Sequence, residues 1–404
     1  MTKYYICITP FFPSSDNWRG AFVLDQVKAI NRLGQYKILV FTPCNWNKQE
    51  PTYVFENVTV FRFPSLFMPS YFFNGFTNKY NGDVFVATLK KLGINLKDIA
   101  VVHCHTASYA CYCTAVKKKN PSVKTVIQYH DPDPYQVRNG KLATWKPNAK
   151  FRAKQLISQF KYIDLHLCIS KKVKYNLLNF PTPHPKECFQ SYLNILHVLK
   201  QVKTKKDITS YVLYNGVDTS QFYPIPNRKK SSIFRIGCIG NFADWKDHIT
   251  LIRAIQYLRQ HGNADGIIVS FIGSGGTRKE CEEYIIKEKL SEYFIFEKEV
   301  HHKELNKYYN TLDLFVLPSF FEGFGCVFTE AAACGVPFMG CVNQGYSEYI
   351  PDEDRDKWLI EPGDYKRLAE IIESYMKFRY KQVLKEKYDI DYLIADYLKY
   401  LEKI

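Results

Sequence analysis

Two glutamates, Glu322 and Glu330, stand eight positions apart in the stretch of this sequence densest in chemistry-bearing residues. It reads Pro318-Ser319-Phe320-Phe321-Glu322-Gly323-Phe324-Gly325-Cys326-Val327-Phe328-Thr329-Glu330 and continues to Pro337. The apolar run Leu314–Leu317 precedes it directly and reads as a buried strand. Gly323 and Gly325 let the backbone approach a ligand, and the amides opening the helix that follows favour an anion. A carboxylate in the first turns of that helix suits a bidentate hydrogen bond to a ribose diol. Two glutamates at this spacing equally fit a helix-capping arrangement.

Other residues invite the same double reading. Ile272-Gly273-Ser274-Gly275-Gly276 ends a strand-like run and makes either a close backbone approach or a tight turn. On their own, Lys246 reads as a surface lysine, His130 at the end of Thr125–Tyr129 as a structural histidine, and Gly20 as a plain turn. Asp131-Pro132-Asp133 has the form of a metal-binding acidic pair, but no such pair sits beside a suitable loop, and no metal is expected.

The elements that must position these residues alternate. Tyr4–Thr9, Ile38–Phe41, Val101–His103, Thr125–Tyr129 and Leu165–Ile169 read as buried strands, with helix-like Phe22–Leu33 and Val84–Leu92 between them. Arg235–Ile239, Ile267–Ile272, Phe294–Phe296, Leu314–Leu317 and Pro337–Met339 repeat the pattern. Such alternation marks βαβ units and parallel sheets. It occurs on either side of a Pro- and Lys-rich break, Phe222 to Lys230, which predicts two doubly wound domains. Lys366–Ile404 reads as helical. An insert, 181–210, breaks the rhythm; Cys188–Leu199 within it reads as an amphipathic helix that covers the core, makes a lid or lies on a membrane surface.

With 404 residues, 46% hydrophobic and 24% charged, the chain reads as a soluble protein of two domains rather than a disordered one. No run of about 18 apolar residues is present, so no transmembrane helix is expected. The N-terminus reads as a first strand, not a signal peptide. Twelve scattered cysteines without a C-x-x-C pair read as reduced, buried thiols. Together these predict a cytoplasmic protein. Charge is uneven: residues 1–200 hold 27 Lys and Arg against 10 Asp and Glu, whereas residues 201–404 hold 28 against 30. A basic first half suits an anionic partner, whether nucleic acid, acidic lipid headgroups or a phosphorylated substrate, or is a solvated lysine surface.

The Glu322–Glu330 stretch resembles the Glu-x7-Glu motif of retaining GT-B glycosyltransferases, in particular glycosyltransferase family four. The likeness extends to Glu-Gly-Phe-Gly, the later Gly-Val-Pro, the Phe11–Val23 loop, Asn215-Gly216-Val217-Asp218, the Ile236–Ala254 loop and helix, and Gly345 with Glu348. It implies an α/β GT-B fold: an N-terminal acceptor-side Rossmann-like domain (1–222), a C-terminal nucleotide-sugar domain (223–375), and C-terminal helices (376–404) crossing back to the N-domain. It implies retaining, metal-independent transfer from a nucleotide diphosphate sugar, used as co-substrate without other cofactor, to a saccharide. The basic half and the insert point to a lipid-linked acceptor in capsule, O-antigen or exopolysaccharide synthesis, at an anionic membrane surface and without nucleic acid. A small soluble acceptor, or an inactive GT-B scaffold, is the alternative.

Role by role, the resemblance makes Glu322 and His130 catalytic. Glu322 would contact the donor sugar, and His130 the donor sugar or the acceptor side. Lys246 would neutralise the diphosphate, Gly20 and Gly273 would approach the donor, and Glu330 would hold its ribose. The backbone of Gly323, Phe324, Gly325, Cys326 and Val327 would touch the sugar and diphosphate. Asn241 stands where the family often has Arg, so that phosphate charge must come from Lys246, backbone amides or elsewhere.

Overall fold

Parallel strands buried on both faces form two sheets, in a computed structural model that describes residues 3–15, 17–48, 50–68, 75–130, 137–138, 141–142, 146–179, 208–226, 232–297 and 299–404. They belong to two compact units, one of residues 1–215 with 390–404 and one of residues 216–389.

Unit 1 holds an eight-stranded sheet. Its strands are β1 (Tyr4–Ile8), β2 (Lys37–Asn45), β3 (Tyr53–Phe55), β4 (Val58–Ser65), β5 (Ile99–Cys104), β6 (Lys124–Tyr129), β9 (Leu165–Cys168) and β10 (Ser210–Val212), in the order β10-β9-β6-β5-β1-β2-β4-β3. All neighbours run parallel except β3 with β4. A separate hairpin pairs β7 (Val137–Arg138) with β8 (Lys141–Leu142). Tyr5 to Ile8 are all buried, as a covered parallel strand requires. The helix Ala21–Arg32 buries Val23, Leu24, Val27, Ala29 and Ile30, a single stripe at helical spacing.

Unit 2 holds β11 (Phe234–Ile239), β12 (Ile267–Ile272), β13 (Phe294–Glu297), β14 (Leu314–Val316), β15 (Phe338–Cys341) and β16 (Leu359–Ile360), in the order β13-β12-β11-β14-β15-β16. Numbered within the unit this is 3-2-1-4-5-6, the Rossmann order. The order reverses between β11 and β14. In unit 1 the corresponding reversal lies between β1 and β5. In such sheets ligands bind beyond the carboxyl ends of the strands at this switch point.

The unit boundary falls at Asn215/Gly216, before the Pro- and Lys-rich break rather than within it. Phe222 explains this: it is buried in the unit 2 core beside His302 and Tyr309. The helical tail is also divided. Helix Tyr365–Phe378 packs Leu368, Ala369, Ile371 and Ile372 into the unit 2 core. Only helix Ile390–Lys403 joins unit 1, burying Ile390, Ile394, Tyr397, Leu398 and Leu401 against Tyr5, Ala29, Ile30 and Val101. Each such large side chain contributes roughly 1.5–3 kcal/mol on burial. Residues 181–207 of the insert, Cys188–Lys206 included, and Asp131 and Asp133 lie outside the described residues, while the insert's last residue, Ser210, opens β10. Among the described residues no helix is long and apolar enough to cross a membrane, and all described cysteines are free thiols.

Candidate active site

In unit 2 the loops leaving β11, β12 and β14 are fastened to one another. Gly240 N–H donates to Ile272 O, and Phe242 N–H to Ser274 O. Gly273 has φ +143°, and a Cβ there would lie 2.1 Å from Gly240 O, so only glycine lets these loops meet. Trp245 O accepts from Ser319 Oγ (3.0 Å) and Phe320 N–H (3.0 Å). These bonds bring together two side chains 76 positions apart: Lys246 Nζ donates to Glu322 Oε1 at 2.5 Å. Both are largely covered, with side-chain exposures of 18% and 11%. Charge-assisted bonds of this kind contribute roughly 1.5–3 kcal/mol.

The Glu322 backbone is held as well. Its N–H donates to Oε1 of buried Gln344 (2.8 Å), whose Nε2 donates to Val342 O. Three residues on, Gly325 is the N-cap of helix Cys326–Ala333, with Cys326 and Val327 partly exposed at its start. Phe324 turns its side chain inward against Tyr349. Glu330, also on this helix, is buried, and Tyr309 donates to its Oε2 at 2.8 Å. Burial pushes the Glu330 carboxyl up to about 7; the tyrosine hydroxyl opposes the shift only in part.

Unit 1 gathers different chemistry beyond its own switch point. Gly20 is the N-cap of helix Ala21–Arg32 at φ +93°, where a Cβ would meet Phe11 O at 2.6 Å. This approach sets Phe11 and Phe22 edge to face, 5.6 Å apart, with the His130 ring 4.9 Å from Phe22 and 6.1 Å from Phe11. His130 Nε2 lies 3.4 Å from His105 Nδ1. Burial pushes His130 down to about 3, so its ring is neutral at physiological pH.

Residues 221–388 match the family described as Glycosyl transferases group 1, and residues 20–186 match Glycosyltransferase Family 4. The chain belongs to the group 1, family 4 glycosyltransferases. It is 26% identical to the lipopolysaccharide core biosynthesis mannosyltransferase LpsB of Rhizobium meliloti, over 43% of this chain and 52% of LpsB. It is 24% identical to the capsular polysaccharide biosynthesis glycosyltransferase CapM of Staphylococcus aureus, over 62% of this chain and 70% of CapM. The match thus spans about half of LpsB, and 39% of the length of some other curated relatives. Among solved structures, HepE of Anabaena in complex with UDP superposes with a TM-score of 0.69 over 100% of both chains at 15% identity, a likeness of GT-B fold.

Within this family member, the expected donor residues other than Gly20 fall on unit 2, and Gly20 and His130 fall on unit 1. Lys246 is joined to Glu322, and Gly273 packs against the backbone of Gly240, whose N–H donates to Ile272 O, whereas Glu330 accepts from Tyr309. Asn241 is exposed. A cation near the Gly273 loop is Arg278, which donates to Gly273 O (3.0 Å), pairs with Glu282 and lies over Phe242 and Phe296. Sequence reasoning missed Arg278, Tyr309, Gln344 and His105. The His103-Cys104-His105 alternation at a strand end was the one local signal for the last. Among the described residues no group of three His, Cys, Asp or Glu side chains could hold a metal ion.

Proposed function

We propose that this chain is a retaining, metal-independent glycosyltransferase that moves a sugar from a nucleoside diphosphate sugar to a saccharide, lipid-linked, in capsule, O-antigen or exopolysaccharide assembly. The observation that carries this reading is the Lys246–Glu322 pair, held by interlocked loops at the switch point of a 3-2-1-4-5-6 sheet. Lys246, the loop amides and the amides opening helix Cys326–Ala333 supply positive potential for a diphosphate without a metal. Glu330 offers its second carboxylate oxygen to a ribose hydroxyl. The named roles of LpsB and CapM, and the UDP bound by HepE, support the same substrate classes.

Charge leaves the sugar with the diphosphate as the glycosidic bond stretches. Lys246 follows that charge, and Glu322, released from it, stabilises the positive character at the anomeric carbon. The departing phosphate takes the acceptor proton on the same face, so configuration is kept. His130 lies on the acceptor-side unit as a neutral hydrogen-bonding group. A thermal-shift panel of UDP-, GDP- and ADP-sugars, followed by turnover with and without chelator, tests the reading. A bound donor raises Tm by mass action. Activity abolished by chelator and restored by Mn²⁺ sinks the metal-independent form of the reading; no donor that binds sinks it altogether.

A further inference from the structure

A row of polar side chains crosses the core of unit 1 where apolar residues would cost less. Tyr397, on the last helix, shares a hydrogen bond with the Tyr5 hydroxyl at 3.0 Å. The Tyr5 hydroxyl lies 2.7 Å from His103 Nδ1. The His103 ring stacks on His105 at 4.3 Å with 24° between planes, and His105 Nδ1 reaches His130 Nε2. Tyr5, His103, His105 and Tyr397 are all buried. Burial holds both tyrosines protonated and all three imidazoles neutral.

A neutral imidazole has one donor and one acceptor nitrogen, and the bond made by one nitrogen decides the sense of the other. His105 Nδ1 and His130 Nε2 therefore hold one hydrogen between them. We propose that His105 is the positioning residue for His130: it fixes the plane and the tautomer of that ring, so that His130 Nδ1 meets substrate with a single hydrogen-bonding sense. Phe22 and Phe11 confine the ring as well, and His103 with Tyr5 and Tyr397 holds His105 in register. The row ties this geometry to helix Ile390–Lys403, the segment that returns to unit 1 from far along the chain. The inference rests on the reading of His130 as a substrate-contacting group.

Two variants separate positioning from packing. His105→Phe keeps a flat ring against His103 but removes the nitrogen. His105→Asn returns a polar amide close to the Nδ1 position. In the full chain labelled with ¹⁵N-histidine, long-range ¹H–¹⁵N spectra report the His130 tautomer, assigned by its loss in His130→Gln. One tautomer should dominate in the wild type, a mixture should appear in His105→Phe, and His105→Asn should restore a single form. With a donor and acceptor pair in hand, kcat should fall about ten- to hundredfold in His105→Phe at unchanged donor KM, the scale on which outer partners of functional imidazoles act. Asn should recover most of it. An unchanged tautomer in His105→Phe overturns the proposal, as do equal losses of kcat and Tm in both variants. Should the Phe variant not fold, the Asn variant decides: a His130 signal like the wild type supports the pairing, and a mixed one overturns it. The spectra need no turnover, so a tautomer change in a protein that transfers no sugar upholds the pairing while refuting the glycosyl-transfer reading.

Discussion

The two units share a strand order around the switch point and place opposite chemistry there. Unit 2 puts an ammonium against a carboxylate, Lys246 and Glu322, and keeps a second carboxyl, Glu330, under a tyrosine. Unit 1 puts neutral imidazoles and tyrosine hydroxyls in the corresponding place. Fixed charge suits an anionic leaving group, whose charge must be met at the moment it develops. Neutral groups suit an acceptor hydroxyl, whose orientation depends on donor and acceptor sense more than on potential. The same scaffold thus holds either, and the residues on its carboxyl-end loops decide which.

The largest break in that comparison should come from Glu322→Gln, which removes the charge and keeps the shape. Turnover should fall about 10²–10³-fold, the scale of removing one preorganised electrostatic contact. The bare nucleoside diphosphate should bind as well as before or better, because Lys246 is released from its partner. Titration calorimetry beside steady-state kinetics reads both. A parallel loss of diphosphate affinity would show that Glu322 holds the loop rather than the sugar.

Lys246→Ala should act in the opposite sense, weakening the nucleoside diphosphate about ten- to hundredfold. Unit 1 provides the control: His130→Gln should leave diphosphate affinity within about twofold. Equal affinity in wild type and Lys246→Ala would move the phosphate site elsewhere, with Arg278 beside the Gly273 loop as the next cation to test.

These contrasts also show which parts were legible in the sequence. Runs such as Tyr4–Ile8 and Ile267–Ile272 announced themselves because covered parallel strands are apolar throughout. Strand β4 escaped notice because Val58–Ser65 is only partly buried and carries Arg62 and Pro64, and β16 because two residues give no period. Glu322, Lys246 and Glu330 could be picked out by motif, yet their partners could not. Lys246 and Glu322 are 76 positions apart, and Tyr309 sits 21 positions from Glu330 on another helix. Pairing at that separation is a product of the fold, with no local spacing rule to betray it. The boundary near residue 215 was hidden for a related reason: composition marks the Pro- and Lys-rich break, whereas packing of Phe222 decides to which unit it belongs.

A smaller effect should follow pH. The Glu330 carboxyl, raised to about 7 by burial, is half protonated near neutrality. A ribose diol donates to a carboxylate, so diphosphate-nucleoside affinity should rise as Glu330 ionises, by up to about tenfold per pH unit below 7 and little above it. Stability should move the other way. The folded pKa lies above the unfolded value, so the protonated form favours folding; that contribution is present at low pH and is lost as pH rises through about 7. Glu330→Gln should flatten both profiles. Calorimetry at pH 6, 7 and 8 checks the first and thermal melts the second. A wild-type affinity that does not change over this range would take Glu330 out of ribose recognition.

The smallest effect concerns the surface. The excess of positive charge lies in the first 200 residues, where 27 basic residues face 10 acidic ones, against 28 and 30 in the remainder. Not every lysine there is available to a partner: Lys117 is committed to Asp164 and to Val123 O. Lys118 and Lys161 lie over the Tyr162 ring at 5.0 and 5.2 Å, and with Lys79 and Lys119 they line a groove of about 500 Å³. Near an anionic bilayer each lysine contributes about 1 kcal/mol, and salt screens the attraction. Lys118→Gln with Lys161→Gln should therefore lower partition onto phosphatidylglycerol vesicles by roughly thirtyfold at low salt. Partition onto neutral vesicles, and turnover on a water-soluble acceptor, should stay as they were. If the double variant floats with anionic vesicles as the wild type does, this groove is not a membrane contact. If the wild type itself ignores them, the basic half of the molecule is solvated surface, and the lipid-linked acceptor gives way to a soluble one.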